Sequence, residues 1–174
     1  MIRWWVFALL SIGLVAFSWR PLRDPRSHGF YRFFGFEAIA ALVVINADRW
    51  FSEPLSPIQI PSWALLLLSL FLAVHGFSLL RTRGRPVGGI ENTQVLVRVG
   101  AYRYIRHPLY ASLLALAWGA SLKNPTLPAL LLALGATCAL DLTARAEERE
   151  CEGKFGQEYG DYARQTKRFI PFIY

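Results

Sequence analysis

The sequence predicts an all-α, polytopic membrane protein with about five transmembrane helices and a polar cap on the cytoplasmic side. Hydrophobic residues make up 54% of the chain and charged residues only 18%, and the mean hydropathy is +0.31. These values are too apolar for a soluble domain of 174 residues. The apolar residues form long runs near the ~20 residues that cross a bilayer. The arginines cluster where these runs end.

The first apolar run extends from Trp4 to Trp19 and follows Arg3. It resembles the apolar core of a signal peptide, but it continues into Trp19-Arg20-Pro21 without a small-residue cleavage site. We therefore expect a retained first membrane span.

Four further apolar runs follow, and the last two are short. They cover roughly residues 33–50, 63–80, 108–122 and 126–140. The polar turn Lys123-Asn124-Pro125 separates the last two, which predicts an antiparallel helical hairpin. Small residues on both helices are expected to permit close approach of the two backbones. These residues are Ala111, Ala115, Gly119, Ala129, Ala133 and Gly135.

The loops between the runs differ in charge, which predicts the topology. Residues 20–32 hold four arginines against one aspartate, and residues 81–107 hold six arginines against one glutamate. Residues 48–61 hold one arginine and two acids. Because cytoplasmic loops are enriched in basic residues, the two arginine-rich loops are expected inside. Five spans then place the N-terminus outside and residues 141–174 in the cytoplasm.

The chain shows no internal repeat, so we expect a single membrane domain over residues 1–174. Residues 1–81 would carry three N-terminal spans, and residues 82–174 the hairpin and the cytoplasmic cap. The net charge of +7 is ascribed to topology and anionic lipid, and no nucleic-acid partner is expected. Cys138 and Cys151 lack a paired spacing, so we predict reduced thiols and no metal site.

The segment Gly100–Tyr110 is the densest cluster of polar and aromatic residues. Pro108 suits the first turn of a helix, which places His107 near the N-cap. Free amides, the helix dipole and Arg106 would together hold a carboxylate there. Alternatively, the tyrosines of this segment form an interfacial belt and its arginines only fix the orientation. The residues alone leave both interpretations open.

A second cluster, Arg145-Ala146-Glu147-Glu148, follows the fifth apolar run. Its carboxylates can accept hydrogen bonds from ligand hydroxyls or an amine. The alternative is a solvated helix face, on which Asp141 and Arg145 form an ion pair of about 0.3 to 0.5 kcal/mol. Residues 141–151 are expected to continue the fifth helix. Residues 156–167 are expected to form a short tail helix, which acts as a lid or as a surface anchor.

The order of these motifs resembles the isoprenylcysteine carboxyl methyltransferase and phospholipid methyltransferase family of integral-membrane enzymes. The resemblance covers Gln94 to Pro171, and Ala101 replaces the proline that is usual in the family. Residues 150–152 replace positions that are commonly leucine-rich. The matching pieces are Leu96-Val97, Gly100-Ala101-Tyr102-Arg103, Arg106-His107-Pro108-Leu109-Tyr110, Glu147-Glu148, Phe155-Gly156, Tyr159, Tyr162 and Arg168 to Pro171.

The resemblance implies methyl transfer from S-adenosylmethionine, with S-adenosylhomocysteine as product, in a cytoplasmic cofactor-binding cap. The acceptor would be lipophilic, such as an isoprenylcysteine carboxylate or a phospholipid amine; a small thiol also fits. Glu148, Arg145 and Arg168 are the candidate catalytic residues, and the arginines would orient an anionic acceptor. The resemblance implicates these residues in cofactor binding: Gln94, Val95, Leu96, Val97, Tyr102, His107, Pro108, Leu109, Tyr110 and Glu147.

Competing functions are a haem or quinone protein and a non-catalytic membrane protein. His28, His75 and His107 are the three histidines, and they lie at different predicted depths, which disfavours bis-histidine haem ligation. Ionisable residues inside spans are functional candidates by default. We nevertheless interpret His75 as a hydrogen-bonding residue between helices, and Glu37 as lying near the cytoplasmic end of its span.

Overall fold

A computed structural model describes residues 2–174, and Met1 lies outside the described residues. The described chain forms six α-helices and no β-strand, which confirms the all-α prediction. Each predicted apolar run forms a helix. The helices are α1 (Ile2–Phe17), α2 (His28–Ile45), α3 (Gln59–Arg83), α4 (Pro108–Ser121), α5 (Leu127–Phe155) and α6 (Gln157–Gln165).

Three of these helices, α2, α3 and α5, are long and apolar enough to cross a membrane. Helix α1 is apolar but shorter, with 16 residues, and α4 has 14. The chain is therefore a membrane protein by the length and composition of its helices. The number of passes stays a prediction.

Helix α2 begins earlier than the apolar run suggested. Ser27 is its N-cap residue, with extended backbone angles, and its Oγ accepts a hydrogen bond from the amide of Phe30. The helix consequently starts at His28 and ends at Ile45, so the predicted range of 33–50 is wrong by about five residues at each end. The loop that begins at Arg20 is correspondingly shorter, and Arg32 is a buried helical residue.

The chain folds as two compact units. The first comprises the residues up to Leu67 together with Leu114–Glu147, and the second comprises Leu68–Leu113 with Glu148–Tyr174. Within the first unit, the hydroxyl of Ser11 on α1 donates to Oε2 of Glu37 on α2 at 2.7 Å. Glu37 lies in the middle of α2, so its predicted place near a helix end is wrong.

Three polar side chains of the first unit cap the C-terminal end of α4. Ser62 Oγ donates to the carbonyl of Gly119 at 2.7 Å, and Asn46 Nδ2 donates to that of Ala120 at 2.8 Å. Gln59 Nε2 donates to the carbonyl of Lys123 at 3.0 Å. The last carbonyls of a helix have no intrahelical partner. The Ala120 carbonyl also accepts from the amide of Lys123 at 3.2 Å. We call these three side-chain contacts the α4 cap; they add donors to carbonyls at and just beyond the end of the helix.

Lys123 completes the α4 cap with a buried ammonium group. Its Nζ donates to Oε1 of Gln59 at 3.1 Å and lies 3.3 Å from the ring centroid of Trp63. Burial lowers the pKa of Lys123. Lys123 follows the last residue of α4 by two positions, and positive charge near the C-terminal end of a helix is favourable.

The small residues of the predicted hairpin have different roles. Ala129 and Ala133 are fully buried on α5, and Trp118 donates to Thr137 across the hairpin at 3.2 Å. Gly119 instead packs against Leu66 and Ser62 of α3, and Gly135 faces open space. The prediction that these two glycines permit close approach within the hairpin is therefore wrong.

In the second unit, a long irregular loop connects α3 to α4, as predicted. A short 3₁₀ turn, Gly100–Arg103, is its last regular element. The following residues pair with the segment after α6: the Arg106 amide donates to Lys167 O at 2.7 Å, and the Lys167 amide to Tyr104 O at 3.1 Å. The tail helix α6 buries Tyr159 and Tyr162.

Candidate functional site

Glu148 on α5 is the centre of a compact charged site in the second unit. Arg106 Nε lies 2.9 Å from Glu148 Oε1. Arg168 contacts both carboxylate oxygens, with Nε at 3.1 Å from Oε1 and Nη2 at 2.8 Å from Oε2. His107 Nε2 lies 3.3 Å from Oε1. We call these four residues the Glu148 cluster; the side chains of Glu148 and both arginines are each no more than 15% exposed.

Arg106 also connects the cluster to the end of α6. Its Nη1 donates to the carbonyls of Ala163, at 3.0 Å, and Thr166, at 2.5 Å. The hydroxyl of Thr166 in turn donates to the carbonyl of Tyr162 at 2.8 Å. One guanidinium therefore bonds to a carboxylate on α5 and to backbone carbonyls at the C-terminal end of α6, where a cation is favourable.

The cluster lies at the N-terminal end of α4. Two guanidinium groups bond to its one carboxylate, and the imidazole of His107 lies beside them. The imidazole is buried and stacks on Tyr110, with ring centroids 5.4 Å apart. Pro108 begins α4 immediately after His107, and the first amides of a helix lack intrahelical acceptors. The arrangement suits an anion such as a carboxylate.

The predicted residues of the preceding loop lie in the same unit. Val97 and Tyr102 are buried, whereas Gln94 and Val95 are exposed and donate their amides to the carbonyl of Gly84 at 2.8 and 3.1 Å. Leu96 is half-buried. These backbone bonds fix the loop at the C-terminal end of α3. The side-chain amide of Gln94 donates to the backbone carbonyl of Asn92 at 3.1 Å.

Tyr102 is held in place through its backbone. The hydroxyl of Tyr162 donates to the Tyr102 carbonyl at 2.7 Å, and both residues are buried. Burial raises the pKa of Tyr162 well above its ordinary value, so the phenol stays protonated and acts as a donor.

Replacing Tyr162 by phenylalanine is expected to destabilise the protein by about 1 to 2 kcal/mol, because the buried Tyr102 carbonyl loses its donor. Chemical unfolding in detergent micelles measures the change. Tyr31→Phe, at a half-buried tyrosine of α2, is the matched control. Equal stability of the two variants would contradict a structural role for this hydrogen bond.

Two predicted site residues, Arg145 and Glu147, belong to the first unit. Arg145 Nε lies 2.6 Å from Asp141 Oδ2, one helical turn away, and the arginine side chain is 54% exposed. This is the ion pair that the solvated-face interpretation predicts. Glu147 is half-buried on α5 directly before Glu148. Tyr162 is absent from the predicted site residues, although it lies in a motif that carries the resemblance. Arg106 was predicted as part of the anion site at the start of α4, but its bonds to Glu148 and to the end of α6 were not.

The sequence model of a known family matches most of the region just described. The model described as phospholipid methyltransferase matches residues 58–158, which is more than half of the chain. The chain belongs to the phospholipid methyltransferase family. This membership confirms the family resemblance, and the matched range of this family member includes the 3₁₀ turn, His107, Glu147 and Glu148.

Curated relatives of this family member are methanethiol S-methyltransferases. The protein from Mycobacterium tuberculosis is 31% identical over 63% of this chain and 45% of its own length. That from Bradyrhizobium diazoefficiens is 25% identical over 96% of this chain and 53% of its own length. The protein from Pseudomonas deceptionensis is 27% identical over 64% of this chain and 42% of its own length. The chain therefore spans about half the length of the curated relatives it matches.

Proposed function

We propose that this protein transfers a methyl group from S-adenosylmethionine to a small apolar thiol at the membrane. The observation that carries the proposal is the Glu148 cluster, in which two arginines, a histidine and a glutamate meet at the N-terminal end of α4; all but Arg168 lie within the matched family region. The thiol class is supported by the names of the curated relatives. A phospholipid amine is the competing acceptor, because the family description names phospholipid.

The side chains at this site fit the polar groups of the methyl donor. His107 and the first amides of α4 would bind the carboxylate of the donor, beside the guanidinium groups of Arg106 and Arg168. We assign Glu147 to the hydroxyl or amino groups of the donor. Tyr102 and Tyr110 would face the sulfonium, because aromatic rings attract cations.

The chemistry requires alignment more than a covalent catalyst. When bound, S-adenosylmethionine supplies an electrophilic methyl carbon on a sulfonium. Transfer to a thiol would form a sulfur–carbon bond as the carbon–sulfonium bond breaks, and it would release the thiol proton and S-adenosylhomocysteine. The protein therefore has to hold the two reactants in line and exclude water. We assign the holding role to the residues around α4. Arg168 or Arg145 would orient an anionic acceptor, which for a thiol is its thiolate form.

The topology and domain organisation belong to the same proposal. Five membrane passes place the N-terminus outside and the Glu148 cluster at the cytoplasmic face, which follows the arginine content of the loops. Residues 1–174 would form one membrane domain. An apolar acceptor can then reach the site through the bilayer.

Titration of the detergent-purified protein with S-adenosylmethionine and S-adenosylhomocysteine tests donor binding. We expect Glu147→Ala to abolish measurable binding and His107→Ala to weaken it about tenfold or more, because each variant loses a hydrogen bond that involves a charged group. Glu152→Ala, at an exposed glutamate of the same helix, should bind as wild type. Wild-type affinity in a folded Glu147→Ala protein would contradict its assignment.

Transfer of a labelled methyl group distinguishes the acceptors. Purified protein in lipid nanodiscs is supplied with methanethiol, with phosphatidylethanolamine or with an isoprenylcysteine peptide. We expect methylation of the thiol. Labelling of the phospholipid alone would replace the thiol proposal with the competing acceptor.

A further inference from the structure

His75 on α3 lies outside the Glu148 cluster, but its side chain contacts the loop that leads into the cluster. Its Nε2 accepts a hydrogen bond from the amide of Ala101 at 3.3 Å. The imidazole stacks on Phe71, with ring centroids 5.5 Å apart and planes 7° from parallel. Since Nε2 accepts a hydrogen bond, the proton of the neutral ring is on Nδ1. The ring is thus oriented by one aromatic neighbour and one backbone amide.

The backbone next to Ala101 lies directly against α3. Gly100 has φ of +60°, and a Cβ atom there would lie 2.6 Å from His75 Nε2 and 2.7 Å from Leu79 Cδ1. Any other residue would be strained by the positive φ and would also collide with these atoms. The glycine therefore allows the close approach that the hydrogen bond from Ala101 requires.

This contact begins the 3₁₀ turn Gly100–Arg103, which is held at both ends. The carbonyl of Ala101 accepts from the amides of Tyr104 and Ile105, both at 3.1 Å. The Tyr102 carbonyl accepts from Tyr162. After the turn, the chain pairs with Lys167 and Arg168 and enters the Glu148 cluster. His75 is the contact that attaches the start of the turn to a membrane helix.

We infer that His75 is a positioning residue for the donor site. By accepting the Ala101 amide it fixes the turn Gly100–Arg103, and through the turn it sets the place of Tyr102. The inference rests on the proposed function, in which Tyr102 lies against the methyl donor. Loss of the acceptor should therefore weaken donor affinity without any direct contact between His75 and the donor.

Two substitutions separate the hydrogen bond from the volume of the ring. His75→Gln places a carbonyl oxygen near the position of Nε2 and keeps an acceptor, whereas His75→Leu removes it. We expect the leucine variant to bind S-adenosylhomocysteine about tenfold more weakly, by the net value of one hydrogen bond. The glutamine variant should stay within about twofold of wild type. Val74→Ala, at an exposed neighbour on α3, is the control.

Hydrogen exchange provides a second readout that needs no ligand. Mass spectrometry of peptides covering residues 99–104 should show faster exchange in His75→Leu and restored protection in His75→Gln. Binding is compared at a temperature where unfolding scans show all variants folded. A residue with only a structural role would change the unfolding temperature without weakening donor affinity. Wild-type affinity for S-adenosylhomocysteine in folded His75→Leu would therefore overturn the inference.

A failure of the proposed function gives a different pattern. If wild-type protein binds neither S-adenosylmethionine nor S-adenosylhomocysteine, the proposed function fails. In that case the hydrogen-exchange rates of residues 99–104 test by themselves whether His75 holds the turn. Unchanged exchange in His75→Leu would overturn the positioning role too.

Discussion

Glu148→Ala is expected to lower the free energy of unfolding by about 3 kcal/mol, because removal of one partner from a largely buried ion pair leaves the other charge uncompensated. Two guanidinium groups and His107 lose their shared acceptor in this variant. Arg106 and Arg168 come from segments that are distant in the sequence, so their mutual repulsion would separate the α4 start from the segment after α6. Chemical unfolding in mixed micelles measures the effect.

The matched control is Glu152→Ala, which removes an exposed carboxylate from the same helix four residues later. Its stability should equal that of wild type within about 0.5 kcal/mol, as for most surface substitutions. Glu148→Gln should fall between the two, because the amide oxygen still accepts one hydrogen bond but carries no charge. Equal stability of Glu148→Ala and Glu152→Ala would show that the Glu148 cluster contributes little to the fold.

Gly119→Val is expected to destabilise the protein by about 2 to 3 kcal/mol through overpacking. A Cβ atom at this position would lie 3.0 Å from two side-chain carbons of Leu66 and 3.2 Å from the backbone carbonyl of Ser62. Because the α4 cap includes the bond from Ser62 to the Gly119 carbonyl, any shift of α4 also disturbs this bond. The backbone atom cannot move aside as a side chain can.

Gly135→Val tests whether this effect is specific to the site. Gly135 is also a glycine of the hairpin, on α5, but nothing lies within 4 Å of a Cβ atom built there. Its substitution should leave the unfolding midpoint unchanged or slightly raised, since glycine is a poor helix former. If both variants unfold at the same midpoint, the close approach at Gly119 does not limit stability.

Hydropathy was sufficient to predict the apolar helices α1 to α5 because apolar length is the main requirement for crossing a bilayer. It did not predict where α2 begins, since that depends on the side chain of Ser27 and its bond to one amide. It also did not indicate which neighbour each glycine contacts. Gly119 and Gly135 are equivalent in the sequence pattern, and only the packing of α3 distinguishes them.

The motifs predicted most of the Glu148 cluster, because the Arg-His-Pro segment, the paired glutamates and the final arginine are local patterns. The sequence could not distinguish the role of Glu147 from that of Glu148. Neighbouring residues on a helix point about 100° apart, and the rotation of α5 about its axis is fixed by packing. The prediction for His75 was correct in expecting a hydrogen bond, but its partner is the backbone of Ala101, 26 residues away, rather than another helix.

The pairing of residues 104–107 with residues 167 and 168 bears on the order in which the molecule is assembled. About sixty residues separate the two paired segments, and closing so long a loop costs entropy before any contact forms. Because synthesis runs from the N-terminus, α4 and α5 are made before Lys167. The apolar helices can therefore enter the bilayer while Arg106 still lacks its backbone acceptors. The charged site cannot be complete until Lys167 and Arg168 have been added, so a chain that stops before residue 167 would have helices α1 to α5 without it.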